Sequence, residues 1–298
     1  MFKVISDTAC DILNDYMIQN DALLVPLYVT FDGENYAKEQ TEVDYTEFYT
    51  KMLTENCFPK SSLPSVQDYI DAFMPSVEAK TPIICMCIST LFSGSYNSAC
   101  TARDQILEDY PNAQITVINS MLNSASMALF VHEAIRMNKD HVPYEKAIEV
   151  LNKMTELGRI FFTIDSLDYL KKGGRIGKLA VLIGGKIKIK PLIIMKDGEL
   201  NIGGVCRTRK KALANILELC QKHFTSNNLS MEDYLFTVGS GIDFEEAKEY
   251  RKTVEETFNI TCVESTEYFP TVIGVATACH TGPKAIGVAV MPKYETLL

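Results

Sequence analysis

Ile88-Ser89-Thr90-Leu91-Phe92-Ser93-Gly94-Ser95-Tyr96-Asn97-Ser98 joins an apolar run, Ile83 to Ile88, to a helical pattern from Tyr96 to Tyr110. The first reads as a buried strand and the second as the helix that follows it. The start of a helix carries unpaired N–H groups and a partial positive charge. A Ser-Gly-Ser placed there can hold a carboxylate or phosphate without any charged side chain. Ser93 or Ser95 can equally serve as a helix cap, and the segment alone leaves both readings open.

Outward from this junction, the first half alternates strands with helices. Phe2 to Ser6, Leu23 to Phe31, Ile83 to Ile88 and Ile115 to Ile118 are predicted strands; Thr46 to Thr54, Ser65 to Ser76, Ser98 to Tyr110 and Ser126 to Met137 are predicted helices. That rhythm predicts an α/β fold with a mostly parallel sheet covered by helices on both faces, and such sheets place their sites beyond the carboxyl ends of the strands. Both Ser6-Asp7-Thr8 and Ser89 to Ser95 fall at such ends.

A helix from Tyr144 to Glu156, a glycine stop at Gly158 and a strand from Ile160 to Ile164 divide the chain into residues 1–158 and 159–298. The second unit reads as mixed α+β. A short helix ends at Gly173-Gly174, and Lys196-Asp197-Gly198-Glu199 is a hairpin turn. Helices from Thr208 to His223 and Phe244 to Phe258 and strands from Tyr234 to Gly239, Thr261 to Glu264, Val272 to Cys279 and Ile286 to Met291 complete it.

At 298 residues the chain is long for one core and comfortable for two domains. Met1 to Asp7 runs straight into a strand without a signal-peptide pattern, and no apolar run nears the roughly 20 residues that span a bilayer, so a cytoplasmic location is expected. Nine cysteines are scattered without a C-x-x-C pair, which reads as reduced thiols. The net charge of −9 argues against nucleic acid as a partner. The charge is uneven: residues 1–158 hold 10 Lys and Arg against 22 Asp and Glu, whereas residues 171–211 hold 12 against only Asp197 and Glu199. That basic segment is either a solvated strand face, as the alternation Lys186-Ile187-Lys188-Ile189-Lys190 indicates, or a dock for an acidic partner or an anionic membrane.

Four further segments stand beside the first: Ser6-Asp7-Thr8-Ala9-Cys10-Asp11, Lys60-Ser61-Ser62-Leu63-Pro64-Ser65, Leu170-Lys171-Lys172-Gly173-Gly174-Arg175-Ile176-Gly177 and His280-Thr281-Gly282-Pro283. With Val25-Pro26-Leu27, Asp32-Gly33, Ile189-Lys190-Pro191-Leu192 and Arg207-Thr208-Arg209-Lys210-Lys211-Ala212, they occur in an order that resembles the DegV family of bacterial fatty-acid-binding proteins over nearly the whole chain. The chain departs from that pattern at Leu63, at Asn119 in place of an aspartate, and at Lys284 in place of a glycine.

The resemblance implies a long-chain fatty acid such as palmitate, held in an apolar slot between the two units. Burying a methylene is worth about 0.8 kcal/mol, so a chain of roughly 16 carbons needs only a modest polar clamp. By similarity, Ser61 and Ser93 are the expected carboxylate contacts, with Ser62, the N–H groups near Gly94 and Ser95, His280, Arg175 and Arg207 as further candidates. The family also implies a partner, a separate fatty acid kinase subunit that converts the bound acid to an acyl phosphate for phospholipid synthesis. The chain itself would be a carrier, with no catalytic residue and no cofactor other than its lipid ligand.

Rival readings are a serine hydrolase using Ser93 and His280, and a carrier of another lipid anion. The first lacks a G-x-S-x-G elbow and a nameable acidic third member. Gly173 to Lys178 is not a phosphate loop, since G-x-x-x-x-G-K-[ST] is missing and the segment follows a helix. Asp7 and Asp11 are expected to cap local structure rather than bind metal.

Overall fold

The computed structural model of the chain describes residues 1–182, 189–263 and 272–298. Its first part runs β1 (Lys3–Asp7), α1 (Asn14–Gln19), β2 (Ala22–Val25), β3 (Tyr28–Thr30), β4 (Ala37–Lys38), α2 (Tyr45–Glu55), β5 (Lys60–Ser62), α3 (Val66–Glu78), β6 (Ile83–Cys87), α4 (Ser95–Asp109), β7 (Ile115–Asn119), α5 (Ser124–Lys139) and α6 (Tyr144–Met154). Then follow β8 (Arg159–Thr163), α7 (Asp168–Lys172), β9 (Lys190–Lys196), β10 (Glu199–Cys206), α8 (Arg209–Ser226), β11 (Tyr234–Ser240), α9 (Phe244–Phe258), α10 (Val275–Thr281) and β12 (Ile286–Pro292).

Strands β2-β1-β6-β7 form a parallel sheet, and β10-β9-β8-β12-β11 form an antiparallel one. The parallel strands are apolar on both faces because both are covered. Val4, Ile84 and Met86 face the core that holds α5, while Ile5, Ile83 and Cys85 face Tyr69, Phe73 and Ala102 of α3 and α4. The antiparallel sheet repeats the arrangement. Ile160 and Phe162 point toward α5, and Phe161 between them points into a second core with Ile216 and Phe224 of α8. Helix α5 touches β1, β8, β11 and β12, so it is the layer between the two sheets, and its sequence is accordingly buried almost all round.

Three readings of the sequence are corrected. Leu23 to Phe31 is two strands: Pro26 has no N–H to give a ladder, so the chain leaves the parallel sheet and re-enters as β3, antiparallel to β4 and β5. Ser61 and Ser62 accordingly lie within β5. Val272 to Cys279 is largely helical, with Gly274 at the N-cap of α10. Short, wholly buried apolar runs carry no period that separates strand from helix, and the alanines at 276 and 278 favour the helix. Thr261 to Val263 forms no strand; Glu264 and the alternation at residues 186–188 lie outside the described residues.

The hairpin turn expected at residues 196–199 is present, with Asp197 and Gly198 both at positive φ as a tight two-residue loop requires. Its tip crosses to the first sheet, where the Ser89 hydroxyl donates to the Gly198 carbonyl at 2.7 Å. No helix among the described residues is long and apolar enough to cross a membrane.

Candidate functional site

A slot of about 180 Å³ lies between α5, α10 and the inner face of the antiparallel sheet. Its floor is apolar: Ile160, Phe162, Met195 and Leu200 from the sheet, with Ala125 and Ala276 from the two helices. Cross-strand register shapes one wall. Phe162, Gly287 and Gly239 stand in one row across β8, β12 and β11. A Cβ on Gly287 would lie 2.4 Å from Cβ of Phe162 and one on Gly239 3.2 Å from Cβ of Ala125, so the two glycines let Phe162 and α5 pack directly against the strand backbone.

The mouth is polar and assembled from four separated segments. Ser61 and Ser62 come from β5, Ser93 from the junction after β6, Arg175 from the loop after α7, and His280 from the last turn of α10. Ser61 Oγ lies 2.8 Å from His280 Nε2. Arg175 Nε donates to the Phe92 carbonyl at 3.0 Å and Nη1 to the Gly173 carbonyl at 2.7 Å, so this guanidinium ties the Ser93 loop to the glycine beside His280. Burial, with the Arg175 charge second, pushes His280 down to about 4. The ring is neutral at physiological pH, and its Nδ1 is buried with no partner among the described residues.

Of the residues singled out from the sequence, Ser61, Ser62, Ser93, Arg175 and His280 border the slot. Gly94, Ser95 and Arg207 do not. Gly94 is the N-cap of α4, turned toward Leu63. The Ser95 hydroxyl donates to Asp7 at 2.6 Å and pairs with the Tyr69 hydroxyl at 2.6 Å, so it is spent inside the protein. Arg207 is exposed just past β10, away from the mouth. Ser93 also serves the helix, accepting the Ser95 N–H at 3.2 Å, and still borders the slot. Leu63 does line the slot, whereas Lys284 is an exposed residue outside it. Asn119 accepts the N–H groups of Thr90 and Met121, which fastens the two loops at the end of the parallel sheet.

Asp7 and Asp11 do more than cap. Asp7 accepts from the Ile88 N–H and Ser95, and Asp11 accepts from the Ser124 hydroxyl. Glu39 joins them beneath the slot, accepting from the hydroxyls of Thr8 and Tyr45 and from the Ala276 N–H. A Cβ on Gly274 would sit 2.6 Å from Asp11 Oδ1 and 2.7 Å from Glu39 Oε1, so the two carboxyl groups converge on the N-cap of the helix that carries His280. Burial is the main cause that raises all three, Asp7 to about 6 and Glu39 to about 7. Among the described residues there is no His, Cys, Asp and Glu group able to hold a metal ion.

Sequence reasoning missed Asn123, Ser124 and Thr277 in the slot wall, and Glu39. Thr277 lies three residues before His280, a helical spacing hidden by reading that run as a strand. Glu39 sits in the polar run Lys38-Glu39-Gln40, which gives no sign of burial.

Comparison with known proteins places this geometry. Residues 1–293 match the family described as uncharacterised proteins of the DegV family. A DegV domain-containing protein of Clostridium acetobutylicum is 30% identical over 291 residues, covering 96% of each chain. Among solved structures, a stearic-acid-binding protein from Eubacterium ventriosum is 43% identical, with a TM-score of 0.94 over 99% of this chain and 100% of that one. A DegV family protein from Thermus thermophilus, described by its fatty acid binding, shares the fold at 24% identity, with a TM-score of 0.84 over 98% and 100% of the two chains. By sequence over its whole described length and by fold, this chain belongs to the DegV family.

Proposed function

We propose that the chain binds a long-chain fatty acid, palmitate or a near homologue, and presents its carboxylate to a separate kinase subunit that makes an acyl phosphate for phospholipid synthesis. One observation carries the binding: an apolar slot whose mouth gathers Ser61, Ser62, Ser93, Arg175 and His280 from four distant segments. The stearic-acid-binding relative from Eubacterium ventriosum supports the same ligand class. Each buried methylene contributes about 0.8 kcal/mol, so the tail supplies most of the affinity and the mouth mainly orients the headgroup. With Nε and Nη1 of Arg175 held by backbone carbonyls, Nη2 is the group it can offer a carboxylate. Residues 1–158 and 159–298 are then the two units that enclose the lipid. The exposed lysines Lys210 and Lys211, with Lys171, Lys172 and Lys178 nearer the mouth, supply the positive surface for an acidic partner or a transient membrane contact. A cytoplasmic site of action fits this role.

Hydrolysis is the less supported reading. His280 is paired with Ser61 rather than Ser93, and among the described residues no carboxylate orients its Nδ1 as the third member of a catalytic triad would.

Protein purified from a heterologous host is expected to carry about one equivalent of a long-chain fatty acid, read by mass spectrometry after denaturing extraction. Recovery of a different lipid anion would move the proposal to that class; no lipid, together with no binding of added palmitate or oleate, would end it. Ser93→Ala is expected to fold normally and to lose about 1.5 to 3 kcal/mol of affinity, one hydrogen bond to a charged group. Phosphorylation of the bound acid should suffer more than binding does, because transfer needs a fixed oxygen. Titration with palmitate and a kinase-coupled assay separate the two effects, and parental values in both would reduce Ser93 to a structural residue.

A further inference from the structure

Most polar groups along the slot are committed to the protein. Ser124 donates to Asp11, and the Thr281 hydroxyl donates to the carbonyls of Thr277 and Gly282. Asn123 is different. Its Oδ1 accepts the Ser124 N–H at 2.8 Å and the Thr277 hydroxyl at 3.4 Å, yet no acceptor among the described residues receives its Nδ2. Asn123 is half-buried on the slot wall, so this side-chain amide borders the space a ligand would fill.

Its place along the slot follows from α10. Thr277 precedes His280 by about one turn, and a turn rises about 5 Å, the span of a few methylenes. From His280 at the mouth, the lining passes Thr277 and Asn123, then becomes apolar at Ala276, Ile273 and Ala125. A plain acyl chain would lay methylenes against the Asn123 amide and leave its N–H groups unpaired. A hydroxyl at that depth would accept from Nδ2 and donate to Oδ1 or to Thr277 Oγ1.

We propose that Asn123 and Thr277 form a second polar subsite for a hydroxyl carried on the acyl chain a few carbons from the carboxylate, so that the preferred ligand is a hydroxylated fatty acid. The subsite rests on the fatty-acid reading of the slot and narrows it. Sites built to hydrogen-bond a ligand group discriminate against the analogue lacking it, because the protein group is then left unsatisfied.

The test is competitive binding to delipidated protein of 3-hydroxypalmitate against palmitate, and of 12-hydroxystearate against stearate. The first hydroxy acid is expected to bind tenfold or more tighter than its plain homologue. The second should gain nothing, since its hydroxyl would lie among Ile160, Phe162 and Leu200. Asn123→Ser keeps an N-cap oxygen for α5 but removes the amide N–H groups, and Thr277→Val removes a hydroxyl at nearly constant volume. In each variant that still melts cooperatively, the ratio of affinities for 3-hydroxypalmitate and palmitate should fall toward one. Equal binding of the two acids by the parent, or a preference that survives both substitutions, overturns the subsite while leaving fatty-acid binding in place. Failure of all four acids to bind would instead overturn the fatty-acid reading and the subsite with it.

Discussion

Gly173→Ala is expected to weaken fatty-acid binding by tenfold or more and to lower thermal stability as well, whereas Gly174→Ala is expected to lower stability alone. The two glycines are adjacent, yet they are needed for different reasons. Gly173 has φ −76° and ψ −4°, a conformation any residue adopts, so its backbone costs nothing to change. A Cβ there would lie 2.1 Å from His280 Nδ1 and 2.9 Å from Cε1, so the imidazole must move off Ser61 to admit it. The Arg175 bond to the Gly173 carbonyl is disturbed at the same time. Losing headgroup hydrogen bonds of this kind costs about 1.5 to 3 kcal/mol, which is tenfold or more in affinity. Gly174 has φ +70° and nothing within 4 Å of where its Cβ would be. Alanine there is strained by about 1 kcal/mol and touches no part of the site, so it should lower the melting temperature by a few degrees and leave affinity alone. Displacement of a fluorescent fatty acid, run beside thermal melts, reads both. Parental affinity in Gly173→Ala would show that His280 does not hold the ligand where Ser61 now holds its ring.

The second large effect concerns pH. Stability is expected to fall as pH rises from about 6.5 to 7.5, and Glu39→Gln is expected to remove part of that slope. Burial raises Glu39 from 4.5 to about 7 and Asp7 from 3.8 to about 6, with Asp11 raised as well. Over the range between unfolded and folded values the native protein holds more protons than the unfolded chain. Stability therefore declines with rising pH until each group's folded value is passed. Glu39 titrates after Asp7, with a value near neutrality, so it contributes to the slope there. Each unit is about 1.4 kcal/mol, and an uncharged Gln in its place should gain on the order of 2 kcal/mol at pH 8. Three histidines work in the opposite direction at lower pH. His132, His223 and His280 are each pushed down to about 4 mainly by burial, so the unfolded chain takes up their protons first and stability drops as pH falls below about 6.5. The result is an optimum near pH 6 to 7, which urea unfolding across pH 5 to 8 would map. A parent curve that is flat or rising from 6.5 to 7.5 would mean that Glu39 is not a protonated buried acid.

The same carboxyl cluster shows where sequence reasoning stops. Asp7 and Asp11 are in a hydroxyl-rich turn at the end of a strand, and that local setting reads as capping. Their actual partners, Ile88, Ser95 and Ser124, lie some 80 to 110 residues away, and no local period announces them. Arg207 fails for the same reason in reverse. A guanidinium beside a helix start has the right chemistry for an anion, but Arg207 stands exposed just past β10 and does not border the slot.

What the sequence determined by itself is the set of elements with a strong local signal. The alternation of apolar strands and periodic helices specified the parallel sheet with both faces covered, because the burial of each face must be written into neighbouring residues. The Asp197-Gly198 hairpin was equally legible, since only a few residues tolerate its backbone. So were Ser61, Ser93, Arg175 and His280 as chemistry, Ser61 in a hydroxyl-rich run and the other three in a turn or helix end whose composition stands out. Tertiary structure alone decided that these four meet, that Ser95 turns inward to Asp7, and that the run before His280 is a helix carrying Thr277 on the slot wall. It also decided one wall of the slot, where Gly239 and Gly287 fall in register with Phe162 across three strands. Register and the packing of distant segments are properties of the whole chain's lowest free energy, and a single stretch of residues holds no record of them.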